Sequence, residues 1–124
     1  MFNPKFRLWN KVKKDWEVKD FHLIGETVLL QGFPLGMLND LEINQFTGLK
    51  DKNGVEIYEE DIVSPIFINS SITAGTVIFD DGSFLVKQIG AEGYTDLLSD
   101  SIRSDIEVIG NIYENPELME NIDD

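Results

Sequence analysis

Gly75-Thr76-Val77-Ile78-Phe79-Asp80-Asp81-Gly82-Ser83-Phe84-Leu85-Val86-Lys87 reads as two β-rich runs joined by an Asp-Gly tip. An Asp-Gly pair accepts the positive backbone angles of a tight hairpin turn, so this is the strongest short-range β signal in the chain. Composition extends the reading outward. Isoleucine occurs 14 times and valine 8 times, against 2 alanines. β-branched side chains suit a pleated, half-buried surface, whereas alanine is the best helix former, so the imbalance favours a mainly β domain. Apolar residues make up 42% of the 124 residues, enough for a core. A chain of this length is one domain, and it buries about two-thirds of its extended-chain surface without a disulfide or metal staple.

Either side of the hairpin the pattern continues. Asp51-Lys52-Asn53-Gly54 is a turn, and Val55 and Ile57 follow it with period two. Asp61 to Ile68 is a strand with Pro65 inside it, which places it at a sheet edge or gives it a bulge. Asn69 to Ala74 reads as a loop, and residues 90–104 as irregular. Asp105 to Ile109 restarts a strand that Gly110 bends. Asn115-Pro116-Glu117 is a helix start, with Asn115 as the cap and Leu118 and Ile122 one turn apart to pin the helix. Toward the N-terminus, Lys5 to Trp9 and Trp16 to Lys19 form a hairpin around the polar stretch 10–15. Phe21 to Ile24 and Thr27 to Gln31 are short apolar runs. Gly32-Phe33-Pro34-Leu35-Gly36 breaks regular structure, and Leu41 to Phe46 is a strand.

Several chemistries are absent. There is no cysteine, which removes thiol catalysis, Cys-type zinc sites and disulfides. His22 is the one imidazole, flanked by Phe21 and Leu23, and reads as a structural or surface residue rather than a general base. Glu56, Glu59, Glu60 and Asp61 form an acidic cluster, read as solvated charges at a strand end. Asp51 to Gly54 resembles a calcium loop, but its glycine comes fourth where such a loop places it sixth. Asp80-Asp81-Gly82 is explained by its turn. Glycine-rich phosphate loops are missing. No catalytic residue, metal site or cofactor is therefore expected, and the binding residues stay unassigned.

Charge is uneven. Residues 1–19 carry six bases and two acids, a balance of +4; residues 20–124 carry four bases and 21 acids, a balance of −17. The acidic body repels phosphate, which argues against nucleic acid as the main partner. Trp9 and Trp16 with Lys11, Lys13 and Lys14 form one basic, aromatic patch, the side-chain set that stacks on single strands. No apolar run approaches the roughly 18 residues of a membrane span. Residues 1–10 lack the apolar stretch of a signal peptide, so a cytoplasmic location in the host cell is expected.

Two stretches resemble the YopX family of small phage and prophage proteins, found mainly in Gram-positive hosts. They are Gln45-Phe46-Thr47-Gly48-Leu49-Lys50-Asp51-Lys52-Asn53-Gly54-Val55-Glu56-Ile57-Tyr58-Glu59-Glu60-Asp61-Ile62-Val63 and Glu107-Val108-Ile109-Gly110-Asn111-Ile112-Tyr113-Glu114-Asn115-Pro116-Glu117-Leu118. Lys5 to Lys11 is similar to the family's opening strand. The resemblance implies a mainly β fold: a small barrel-like β-sheet with an N-terminal β-hairpin lobe and a short C-terminal helix. It implies one domain over 1–124, with an N-terminal lobe at about 1–40 and a barrel-like lobe at about 41–119. It brings no established biochemical activity and no catalytic residue. Glu60 stands where the family usually has glycine; a positive φ there would strain glutamate by on the order of 1 kcal/mol. The function expected is a non-enzymatic phage accessory protein acting through contacts with an unknown phage or host protein, or as a homo-oligomer. The alternatives are a nucleic-acid-associated module using residues 1–19 and an acidic DNA mimic that inhibits a host protein.

Overall fold

The computed structural model describes residues 5–17, 21–24, 27–30, 33–37, 40–68, 71–90, 95–101 and 105–120. The structure is mainly β, and among the described residues no helix reaches seven residues. The chain divides into two compact units, residues 1–45 and 46–124.

In the first unit, β1 (Phe6–Asn10) and β2 (Asp15–Glu17) form an antiparallel hairpin with Trp9 opposite Trp16. β3 (Phe21–Ile24), β4 (Thr27–Leu30) and β5 (Phe33–Met37) form a separate three-stranded antiparallel sheet. The expected break at Gly32–Gly36 is corrected here, because Phe33, Pro34 and Gly36 pair with β4. Proline is tolerated since β5 is an edge strand and the ladder slips between Val28 and Leu29. β6 (Leu41–Lys50) runs antiparallel to β1 over Leu41–Gln45. Leu8 and Leu41 are buried there, with Ile43 packed against them. The strand expected to continue to Lys19 is seen to Glu17; Val18 and Lys19 lie outside the described residues.

In the second unit, the latter part of β6 pairs with β7 (Glu56–Tyr58) around the Asp51 turn. β8 (Asp61–Ile68), β9 (Ser71–Asp80), β10 (Ser83–Gln88), β11 (Thr95–Leu97) and β12 (Glu107–Asn111) form one antiparallel sheet in the order β11-β10-β9-β8-β12. The hairpin at Asp81-Gly82 forms as its sequence requires. Both residues hold positive φ, 51° and 81°, the pairing of a two-residue turn whose twist matches its strands. Val77 and Val86 stand opposite each other and are fully buried. They pack with Ile57, Val63, Ile66, Leu98 and Ile106, each contributing about 1.5–3 kcal/mol by leaving water. The fold includes a curled half-barrel sheet. Pro65 marks a bulge and not an edge. β8 lies between β9 and β12, and its register against β9 slips between Val63 and Ile66. A second slip, between Val108 and Gly110, bends β12 as Gly110 suggests.

Three further expectations change. Residues 71–74 belong to β9, because Ser71, Ile72 and Thr73 find partners on Ile68, Phe67 and Ile66. The irregular stretch at 90–104 contains β11 and a short helix α1 (Leu98–Ser101), with Leu97 opposite Leu85. The C-terminal helix is a 3₁₀ turn, Pro116–Met119, with no buried residue. Asn115 does not cap it: its Oδ1 accepts from the Asn111 N–H at 3.2 Å instead. Ile122 lies outside the described residues.

Candidate functional site

Three buried polar side chains of the second unit, Asp51, Asp61 and Asn111, shape turns. Asp51 is 6% exposed at the end of β6. Its Oδ1 accepts from Asn53 N–H (2.8 Å) and Val55 N–H (2.9 Å), and its Oδ2 from Val108 N–H (2.9 Å). Its own N–H donates to Val55 O, and Gly54 N–H donates to Asp51 O at 3.0 Å. Gly54 closes the turn at φ 83°. One carboxylate thus shapes the β6–β7 turn and holds β12. Burial pushes its pKa up. The backbone donors Val108, Val55 and Asn53, joined by the Lys52 charge, outweigh that and hold the pKa below the usual carboxylate value of 3.8. Beside it, Lys52 N–H donates to Ile106 O at 3.1 Å. The turn thus bonds β12 at Val108 and the residue just before the strand, Ile106.

Asp61 is 2% exposed, and its Oδ2 accepts from Tyr58 N–H at 2.8 Å across the β7–β8 turn. Within that turn Glu60 holds φ at 70°. Two backbone bonds impose it: Glu60 N–H donates to Val77 O (2.8 Å), and Glu60 O accepts from Ile112 N–H (3.1 Å). The position does need positive φ, and glutamate occupies it. Asn111 repeats the theme after β12, its Oδ1 accepting from Tyr113 and Glu114 N–H at 3.0 and 2.9 Å.

The acidic cluster of the sequence is not one site. Asp61 is buried on backbone, whereas Glu56 lies half-buried on β7 beside the Tyr58 hydroxyl at 3.4 Å. Asp80 and Asp81 stand exposed at the hairpin tip. Among the described residues no three His, Asp or Glu side chains are placed to hold a metal ion. His22 sits in β3 opposite Leu29.

In the first unit the basic, aromatic patch folds onto itself. Trp9 is 7% exposed and meets Trp16 edge to face, centroids 5.0 Å apart at 70°. The Arg7 guanidinium lies over the Trp16 ring at 4.3 Å and donates to Asn44 Oδ1 at 3.1 Å. The stacking surfaces thus touch protein groups. Lys11, Lys13 and Lys14 are exposed on the tip, with Lys13 3.1 Å from Glu17. Asn10 locks this tip, its Oδ1 accepting from Val12 and Lys13 N–H, both at 2.9 Å, while its Nδ2 donates to Glu17 at 3.0 Å. Sequence reading finds these turns but not the reach of Asp51, since Val108 lies 57 residues away. No helix among the described residues is long and apolar enough to cross a membrane.

Comparison with known proteins gives the family. Residues 26–120 match the family model described as YopX protein. The crystal structure of protein EF1440 from Enterococcus faecalis is similar at 29% identity and a TM-score of 0.64, over 97% of this chain and 100% of that one. The crystal structure of protein yopX from Bacillus subtilis shares the fold at 23% identity and a TM-score of 0.55, over 95% and 97%. None of the curated proteins matches. With its two signature stretches forming the Asp51, Glu60 and Asn111 turns, and with the family model covering most of its length, the chain belongs to the YopX family.

Proposed function

We propose that this chain is a non-enzymatic accessory protein of a bacteriophage or prophage, working by contact with another protein. The observation that carries the reading is how the buried acids are used. Asp51 and Asp61 accept from backbone N–H groups, and Asp51 is held deprotonated far below neutrality. A general acid or base works best with a pKa near the operating pH. These carboxylates are suited to holding a scaffold. Recognition is then left to the surface, where Phe79 is 48% exposed beside Phe84 at the hairpin tip, rings edge to face at 4.9 Å.

The test is sedimentation velocity at micromolar concentration, followed by capture of partners from infected host lysate with wild type and Phe79→Ser. Self-association or a captured protein that Phe79→Ser reduces supports the reading. A monomer whose ligand is instead single-stranded DNA, lost on changing Lys11, Lys13 and Lys14 to glutamate, overturns it. So does turnover of a small molecule that one side-chain substitution abolishes.

A further inference from the structure

Of the nine asparagines, Asn53 is the one followed by glycine. That pair carries its own chemistry. The Gly54 nitrogen can attack Asn53 Cγ to close a five-membered ring, and glycine has no side chain to hinder it. A bond forms between Gly54 N and Asn53 Cγ, the Cγ–Nδ2 bond breaks, and ammonia leaves with the displaced amide proton. Water then opens the succinimide at either carbonyl, giving aspartate or isoaspartate. Water is the one co-reactant, and no oxidant or reductant is involved.

Both residues are exposed, yet the fold occupies the attacking group. Gly54 N–H donates to Asp51 O at 3.0 Å, and Asn53 N–H to Asp51 Oδ1 at 2.8 Å. Val55 N–H fixes the next residue to the same oxygen. Attack requires Gly54 to leave its bond to Asp51 O. We propose that Asn53 is a deamidation site whose rate is set by opening of the Asp51 turn. The closed chain keeps its asparagine, and a chain whose turn opens loses it irreversibly. Isoaspartate adds a backbone carbon between residues 53 and 54, and either product adds a carboxylate two positions from Asp51. Geometry and like charge both oppose reclosure. The modification is a one-way latch on the segment that holds Val108.

The full chain is incubated at mildly alkaline pH, and the peptide carrying Asn53 is followed by mass mapping in buffer and in unfolding urea. Deamidation at least about tenfold slower in buffer is expected, since the turn bonds must break first. Asp51→Asn should raise the rate in buffer several-fold. Because that variant risks global unfolding, wild type is also followed through sub-denaturing urea. There the deamidation rate should rise in step with hydrogen exchange of the Gly54 amide. Equal rates in buffer and urea would overturn the proposal, as would faster loss of another asparagine from the folded chain.

Discussion

Two hairpin tips solve one problem with different side chains. At the β1–β2 tip, Asn10 accepts from the N–H groups two and three residues on and donates to Glu17. At the β6–β7 tip, Asp51 accepts from the N–H groups two and four residues on and also from Val108. An amide has a donor as well as an acceptor, so it suits a carboxylate partner. A carboxylate only accepts, so it suits a third N–H. The partner dictates the residue type. The amide closes a local loop, whereas the carboxylate joins a loop to a strand far along the chain.

Asp51→Ala tests the contrast hardest. It removes the buried carboxylate that the Val108, Val55 and Asn53 donors share, and should cost about 2–4 kcal/mol in urea unfolding. Asp51→Asn keeps the local oxygen but turns a donor toward Val108 N–H, and about 1.5–3 kcal/mol is expected. It also isolates the acid response. The Asp51 pKa is depressed on folding, so the stability it contributes is present above 3.8 and is lost as pH falls below that value through the folded pKa. Wild type should lose stability over that window, and Asp51→Asn should show a flatter slope. The mirror substitution, Asn10→Asp, sets a carboxylate against Glu17. It should cost about 1–2 kcal/mol at neutral pH and recover partly in acid, the opposite sign. Smallest is Glu60→Gly, which should gain up to about 1 kcal/mol by relieving φ 70°, less the extra freedom of the unfolded glycine. A loss there would mean the glutamate side chain matters more than its backbone.

What could be read from sequence follows the same division. The Asp81-Gly82 hairpin, the Asp51–Gly54 turn and the bulge option at Pro65 are local and legible. Ser71–Ala74 reads as loop because its serine and threonine resemble turn residues, but pairing with Ile66–Ile68 overrides that preference. β11 has three residues and exists through Leu85 and its neighbours, so periodicity cannot find it. Asn115 is a good cap by type, yet its side chain is taken by the Asn111 N–H behind it. Asp51 shows its turn role to any reader of Asp-Lys-Asn-Gly. Its hold on Val108 has no local signal.

That long reach has a consequence for a chain made on the ribosome. The near side of the Asp51 clasp can close once Val55 has emerged, but its far partner, Val108, is synthesised 57 residues after Asp51. At about 5–20 residues per second the wait is roughly 3–11 s. During that interval the growing protein carries a ready-made half-clasp and no closing strand, so a strand translated much later fastens this turn.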